Sequence, residues 1–263
     1  MTILRWTIMK NKNGLLAKAG KEKRRRFNMA KTYVVLDLET TGLDYQSEQI
    51  TEIGAIKIDE RFNEIDRFHT MVALEKGREL PEFITKLTGI TVADLEGAPT
   101  ESEALAKLNE FIGDAIVVAQ NAPFDLSFIS RGGIAPNRFY CTRAMVRFVE
   151  PELSASLKDV AKRNGISLEG HHRALNDVEA TIEVFRLYLP HVREEYNGFE
   201  NIVQDSADRP LKFKPKNAIV RTVHMVALDN TDLIRLVRAF PEDHDMFSKL
   251  GNIIDRTMRG TNN

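Results

Sequence analysis

Two rhythms of apolar and polar residues divide this chain. Residues 33–38, YVVLDL, form a short apolar run, and 49–58, QITEIGAIKI, and 64–73 follow with enough alternation to read as strands joined by short connections, as in a meander. Pro81–Leu87 has a helical pattern that stops near Gly89. Over 100–112 the period becomes clearly helical, with Ala104, Leu105, Leu108, Phe111 and Ile112 on one face. Thr100 stands at the cap of that helix and Glu103 in the capping-box position. Residues 115–119, AIVVA, read as a buried strand, after which NAPFDLSFISR begins a helix. Two further helices are expected: 156–164, ended by Gly165, and 174–189, with Val178, Ile182, Phe185 and Leu189 inward and Pro190 as its stop. Three strands, helices, a strand and more helices suit a mixed α/β sheet with helices packed on it.

Beyond Pro190 the pattern weakens. Residues 191–216 are polar and hold Pro210 and Pro215, which suggests a linker or irregular cover. A strand is expected over 218–228. Two helical stripes follow, Leu233, Leu236, Val237 and Phe240, then Phe247, Leu250 and Ile254, giving a small β-α-α extension.

Composition narrows the class. Of 263 residues, 43% are hydrophobic and 29% charged, as in a soluble globular protein with a sizeable core. The single cysteine, Cys141, forms no internal disulfide and fits a reducing, cytoplasmic setting. Nothing in the sequence reads as a membrane span or a signal peptide, so no membrane partner is expected. The net charge of −1 hides an asymmetry: residues 1–28 carry nine Lys/Arg against one acid, a net +8, which leaves −9 for the rest. That leader reads as a disordered basic tail, as the product of a start upstream of Met29, or as a nucleic-acid-binding arm. The remaining body, being acidic, does not grip a polyanion by bulk charge.

The chemistry concentrates in acids placed where acids are costly. Asp37 and Glu39 end the first apolar run two residues apart, so in a strand they share a face. Asp125 follows directly on the buried strand AIVVA, and Asp177 lies early in the helix after GHHRALND. Four carboxylates meeting at one sheet edge suit two Mg²⁺ or Mn²⁺ ions rather than zinc, and such a pair can hold and hydrolyse a phosphodiester.

The segments DLETTGL, NAPFD and HHRALND, in that order and with LTGI between the first two, resemble the three motifs of DnaQ-like 3′→5′ exonucleases of the DEDDh type. The run HHRAxxDxEAT looks most like the exonuclease module of PolC-type DNA polymerase III and of epsilon-type proofreading subunits. The resemblance spans about residues 32–189. It implies an RNase H-like fold, a mixed five-stranded sheet flanked by helices. It also implies a domain over 29–190, between the leader and a linker with a small accessory segment over 191–263. By resemblance, Asp37, Glu39 and Asp177 hold one metal ion. Asp37 and Asp125 reach the second, and His172 takes the proton of the attacking water. His172 and Asp177 are five residues apart, so they converge only if His172 lies on a loop before the helix; Gly170 favours that loop. His171 is offset by one and reads as a bystander. Thr40, Thr41 and Leu43 would line the pocket of the 3′-terminal nucleotide, with Thr40–Thr41–Gly42 offering backbone N–H groups, and Asn121 and Phe124 would flank the second acid. Gln120 departs from the pattern, since many relatives have histidine there.

The reading expected from the resemblance is a metal-dependent exonuclease that releases nucleoside 5′-monophosphates from a 3′ end, of DNA more than of RNA, in proofreading or repair. An exoribonuclease of the RNase T or oligoribonuclease type is the enzymatic alternative. A different class is a polymerase-interaction subunit that uses residues 190–263, since Val223–Val237 faintly resembles the stretch after the exonuclease insertion in PolC.

Overall fold

The computed structural model describes residues 31–194, 198–206 and 209–223. Its centre is the first apolar run, which forms β1 (Tyr33–Thr40). β2 (Ile50–Ile58) pairs with it antiparallel, and β3 (Glu64–Met71) pairs antiparallel with β2 as an exposed edge. On the other side β4 (Ile116–Ala119) and then β5 (Phe139–Cys141) add in parallel, so the order is β3-β2-β1-β4-β5. This is the mixed five-stranded sheet that the family resemblance implies. β1 has neighbours on both edges and apolar residues on both faces, which explains why it reads as a run rather than an alternation.

Seven α-helices flank the strands among the described residues: α1 (Glu82–Thr88), α2 (Val92–Leu95), α3 (Glu101–Ile112), α4 (Ala122–Ile129), α5 (Thr142–Val149), α6 (Leu157–Asn164) and α7 (Ala174–Val192). The capping box at Thr100 and Glu103 is formed, and Ala104, Leu105, Leu108 and Ile112 are the buried face of α3. α7 buries Val178, Ile182, Phe185 and Leu189, and the Phe185 ring packs 5.2 Å from Tyr33, 5.1 Å from Tyr140 and 5.6 Å from Phe62.

The structure departs from the sequence expectations in several places. α7 does not stop at Pro190 but runs through it to Val192. A proline so near the end removes one late hydrogen bond and leaves the buried face intact. The pattern over 139–149 gave neither β5, three residues long, nor α5, and α2, one turn long, was also missed. The stretch expected to be linker or cover contains β6 (Ile202–Ser206), which pairs with β7 (Ile219–Val223) in a separate two-stranded sheet. Phe199, Ile202 and Val203 are fully buried in the core, and the Asn201 N–H donates to the Phe139 carbonyl at 2.8 Å. The leader, the rest of the strand expected over 218–228 and the two helical stripes after it lie outside the described residues.

Two details of β2 prepare the site. The β1–β2 register breaks between Glu39 and Thr40, so the acid-bearing end of β1 turns away from regular pairing. Gly54, opposite Asp37, lets the start of α7 sit against the strand. A Cβ there would stand 2.7 Å from the Ala174 carbonyl carbon and from the Leu175 nitrogen.

Candidate active site

The acids come from three elements. Asp37 and Glu39 project from the end of β1, Asp125 from the first turn of α4 and Asp177 from the first turn of α7. Asp37, Glu39 and Asp177 each bring a carboxylate oxygen within 4.8 Å of the others, close enough to share one divalent ion. Asp125 stands outside that trio. Its carboxyl accepts from the Leu38 backbone N–H, between Asp37 and Glu39, and from its own N–H.

The electrostatics of this corner are unbalanced. Burial pushes Glu39 up to about 8, with further contributions from the Asp177, Glu52 and Asp125 charges. Burial also raises Asp125 to about 8, against the two N–H groups it accepts from. Asp37 lies well above the ordinary carboxylate range, first through desolvation and then through the charges of Asp125 and Asp177. These shifts mean that the protein alone does not neutralise its acids, and a hard divalent cation with oxygen ligands would. The donor set, carboxylate oxygens throughout, therefore fits a divalent metal ion.

His172 lies on the loop before α7, as its spacing to Asp177 requires, and its backbone is held at φ 68°, an unusual value for a side-chain-bearing residue. The His172 N–H donates to Asp177 Oδ2 at 3.2 Å. Burial and the neighbouring His171 lower the His172 pKa, which favours the neutral imidazole at neutral pH. His171 is no bystander: its Nδ1 lies 2.7 Å from Asp177 Oδ1, and its ring stacks on that of His172 at 3.8 Å.

The expected substrate residues divide. Leu43 is 75% exposed just past the acidic strand end. Thr40 and Thr41 are buried, and their hydroxyls are used inside the chain, Thr40 on the Gly42 carbonyl at 2.6 Å and Thr41 on Glu48 at 2.5 Å. The Thr41 N–H is likewise taken by the Gln49 carbonyl at 2.8 Å, so it is not an open donor. Asn121 stands at the N-cap position of α4 without a side-chain cap bond, and the Phe124 ring packs 5.0 Å from Phe128 and against the core. Gln120 donates to the Ala155 carbonyl at 2.9 Å and accepts from Thr142, so its amide ties loops together.

One buried acid was missed. Glu52, on β2 opposite Glu39, is 1% exposed and pairs with Arg173 and His69. Burial pushes its pKa up, but hydrogen bonds from Arg173, the Ala174 N–H and His69 outweigh that and leave it below the ordinary glutamate value. Its signal in the sequence was an acid, and two residues later a glycine, on the isoleucine-bearing face of QITEIGAIKI.

The sequence model of a family described as "Exonuclease" matches residues 34–185. The PolC-type DNA polymerase III of Clostridium perfringens is 40% identical over 169 residues, which cover 62% of this chain but only 12% of that protein. The DNA polymerase III subunit epsilon of Aquifex aeolicus is 39% identical over 161 residues, 59% of this chain and 78% of the relative. Among solved structures, E. coli exonuclease I in complex with a dT13 oligonucleotide superposes with a TM-score of 0.55 at 21% identity, over 64% of this chain and 42% of that one. That likeness identifies the fold as RNase H-like.

Proposed function

This chain belongs to the exonuclease family, and on that premise we propose that it removes nucleoside 5′-monophosphates one at a time from the 3′ end of DNA. The observation that carries the reading is the convergence of Asp37, Glu39 and Asp177, each with a carboxylate oxygen within 4.8 Å of the others, with Asp125 anchored to the same strand end. Asp37, Glu39 and Asp177 would hold one Mg²⁺ or Mn²⁺ ion, and Asp37 with Asp125 a second. When bound, such ions supply positive charge against the reacting phosphate and make water more acidic.

The chain's own groups do the rest. His172, neutral at working pH, accepts the proton of the attacking water as the new bond to phosphorus forms and the bond to the 3′ oxygen breaks. The His171 ring and the Asp177 carboxylate hold His172 in register through ring stacking and its backbone N–H. The exposed Leu43 packs on the terminal base, and Thr40 and Thr41 shape the turn that presents it. Asn121 and Phe124 border the path to Asp125.

The relatives supply the setting. DNA polymerase III proteins share this module, and the acidic body suits a substrate handed over by a polymerase rather than captured from solution; a proofreading role follows. A timed digest of 5′-labelled single-stranded DNA with Mg²⁺ tests the reaction. A one-nucleotide ladder that EDTA abolishes is expected. Endonucleolytic fragments, trimming from the 5′ end, or faster turnover of a matched RNA would each overturn part of the proposal.

A further inference from the structure

We infer that Glu52 is a positioning residue: with Arg173 it fixes the loop that carries His172 and the first turn that carries Asp177, without itself holding an ion. This inference rests on the exonuclease reading for its catalytic consequence, but the tie itself is visible in the geometry. Glu52 stands opposite Glu39 on the neighbouring strand, so it is a fifth acid beside the cluster. Both of its oxygens are occupied, chiefly by the Arg173 guanidinium. Oε1 lies 2.7 Å from His69 Nε2 and 3.1 Å from Arg173 Nη2, and Oε2 accepts from the Ala174 N–H at 3.0 Å and from Arg173 Nε at 3.2 Å. A carboxylate offers about four lone-pair sites, and three partners use them here.

The Ala174 contact gives the tie its meaning. Arg173 is the N-cap residue of α7 and its side chain makes no cap bond, so the first helical N–H is capped by Glu52 from across the sheet. A negative charge at that end also suits the helix dipole. Gly54, two residues along the same strand, lets the backbone of Ala174 and Leu175 approach. On the other side of the loop Asp177 accepts from the His172 N–H. Residues 171–177 are thus held at Arg173, Ala174 and His172, and the left-handed backbone of His172 lies between the ties.

The tie is not the main attachment of α7. Val178, Ile182, Phe185 and Leu189 bury its inner face and keep the helix on the sheet. Loss of Glu52 should therefore loosen the loop and first turn and leave the rest docked.

The test compares Glu52→Gln, Arg173→Ala and the double variant. Glutamine keeps the shape but turns an amide N–H₂ toward donors. Removing such a support of a site typically costs ~10- to 100-fold. A kcat lowered by that much is expected on single-stranded DNA, with KM changed by no more than about twofold. The double variant should lose no more than the worse single one, because both act through one tie. Hydrogen exchange without DNA or metal supplies a second readout: faster exchange confined to residues 170–177, with β1 and α4 unchanged. Wild-type rates and exchange in both single variants would overturn the inference, as would exchange that rises across the whole sheet with a matching fall in Tm. If the wild-type protein trims no DNA, the proposed function fails, while the exchange result still decides whether Glu52 holds the loop. Should Glu52→Gln not fold, Arg173→Ala, on the half-exposed partner, carries both readouts.

Discussion

Asp37 and His172 test the chemistry most directly. Asp37 lies in the carboxylate trio and beside Asp125, so Asp37→Ala should abolish trimming while circular dichroism shows the fold retained. Undiminished trimming by that variant would remove the metal assignment. His172→Ala takes away the proposed proton acceptor, a role worth roughly 10²- to 10⁴-fold. The loss should fall on kcat rather than KM. His171→Ala is the informative control, because the two rings stack and His171, not His172, contacts the Asp177 carboxylate through its ring. Because the His171 ring also supports His172, a smaller loss is expected for His171→Ala; a large loss in His171→Ala with His172→Ala near wild type would mean that the proton acceptor had been assigned to the wrong imidazole.

The behaviour of α7 follows from how it meets β2. Its inner face was evident from periodicity, but its start is set by the neighbouring strand, through the Glu52 carboxylate and the missing side chain of Gly54. Gly54→Ala places a methyl group 2.7 Å from the α7 backbone, and relief requires the helix start to move. We expect a stability loss of ~1–3 kcal/mol, typical of overpacking, together with a lower kcat. Thr100→Ala removes the cap of α3, far along the chain from the acids, and should cost ~0.5–2 kcal/mol without affecting kcat. Urea titrations beside steady-state kinetics separate the two. A Gly54→Ala protein that loses stability but keeps its kcat would show that α7 tolerates displacement.

For the molecule as a whole, the acid cluster couples stability to pH and to divalent ions. Asp37, Glu39 and Asp125 bind protons more tightly when folded than when unfolded. The metal-free protein should therefore be most stable at low pH with respect to these groups and lose stability as pH rises from the ordinary carboxylate range through about 8. Glu52, held below its ordinary value by Arg173, runs the opposite way only at lower pH, and Arg173 keeps its charge throughout. Thermal melts in EDTA should give a lower Tm at pH 8.5 than at pH 5.5, since Glu39 and Asp125 are both raised to about 8. Mg²⁺ or Mn²⁺ should raise Tm most at the higher pH, where the carboxylates are free of protons. An equal metal shift at both values would contradict the cluster's role.

Asp37 with Glu39, the Asp125 segment and the spacing of His172 to Asp177 were readable before any coordinates, as were the inner faces of α3 and α7. Each is a short-range property, fixed by strand alternation, helical period or a loop that must intervene within five residues. The tie from Glu52 to Arg173 was not readable, because 121 residues separate the partners and nothing local announces that they meet. The same holds for His171, whose contact with Asp177 depends on the left-handed turn at His172, and for β5, three residues long and a strand only because β4 lies beside it. Spacing along the chain can name the acids and the imidazoles. Which carboxylate stays open to an ion and which is saturated depends on neighbours brought together by the sheet, since burial and pairing are set by distance in space.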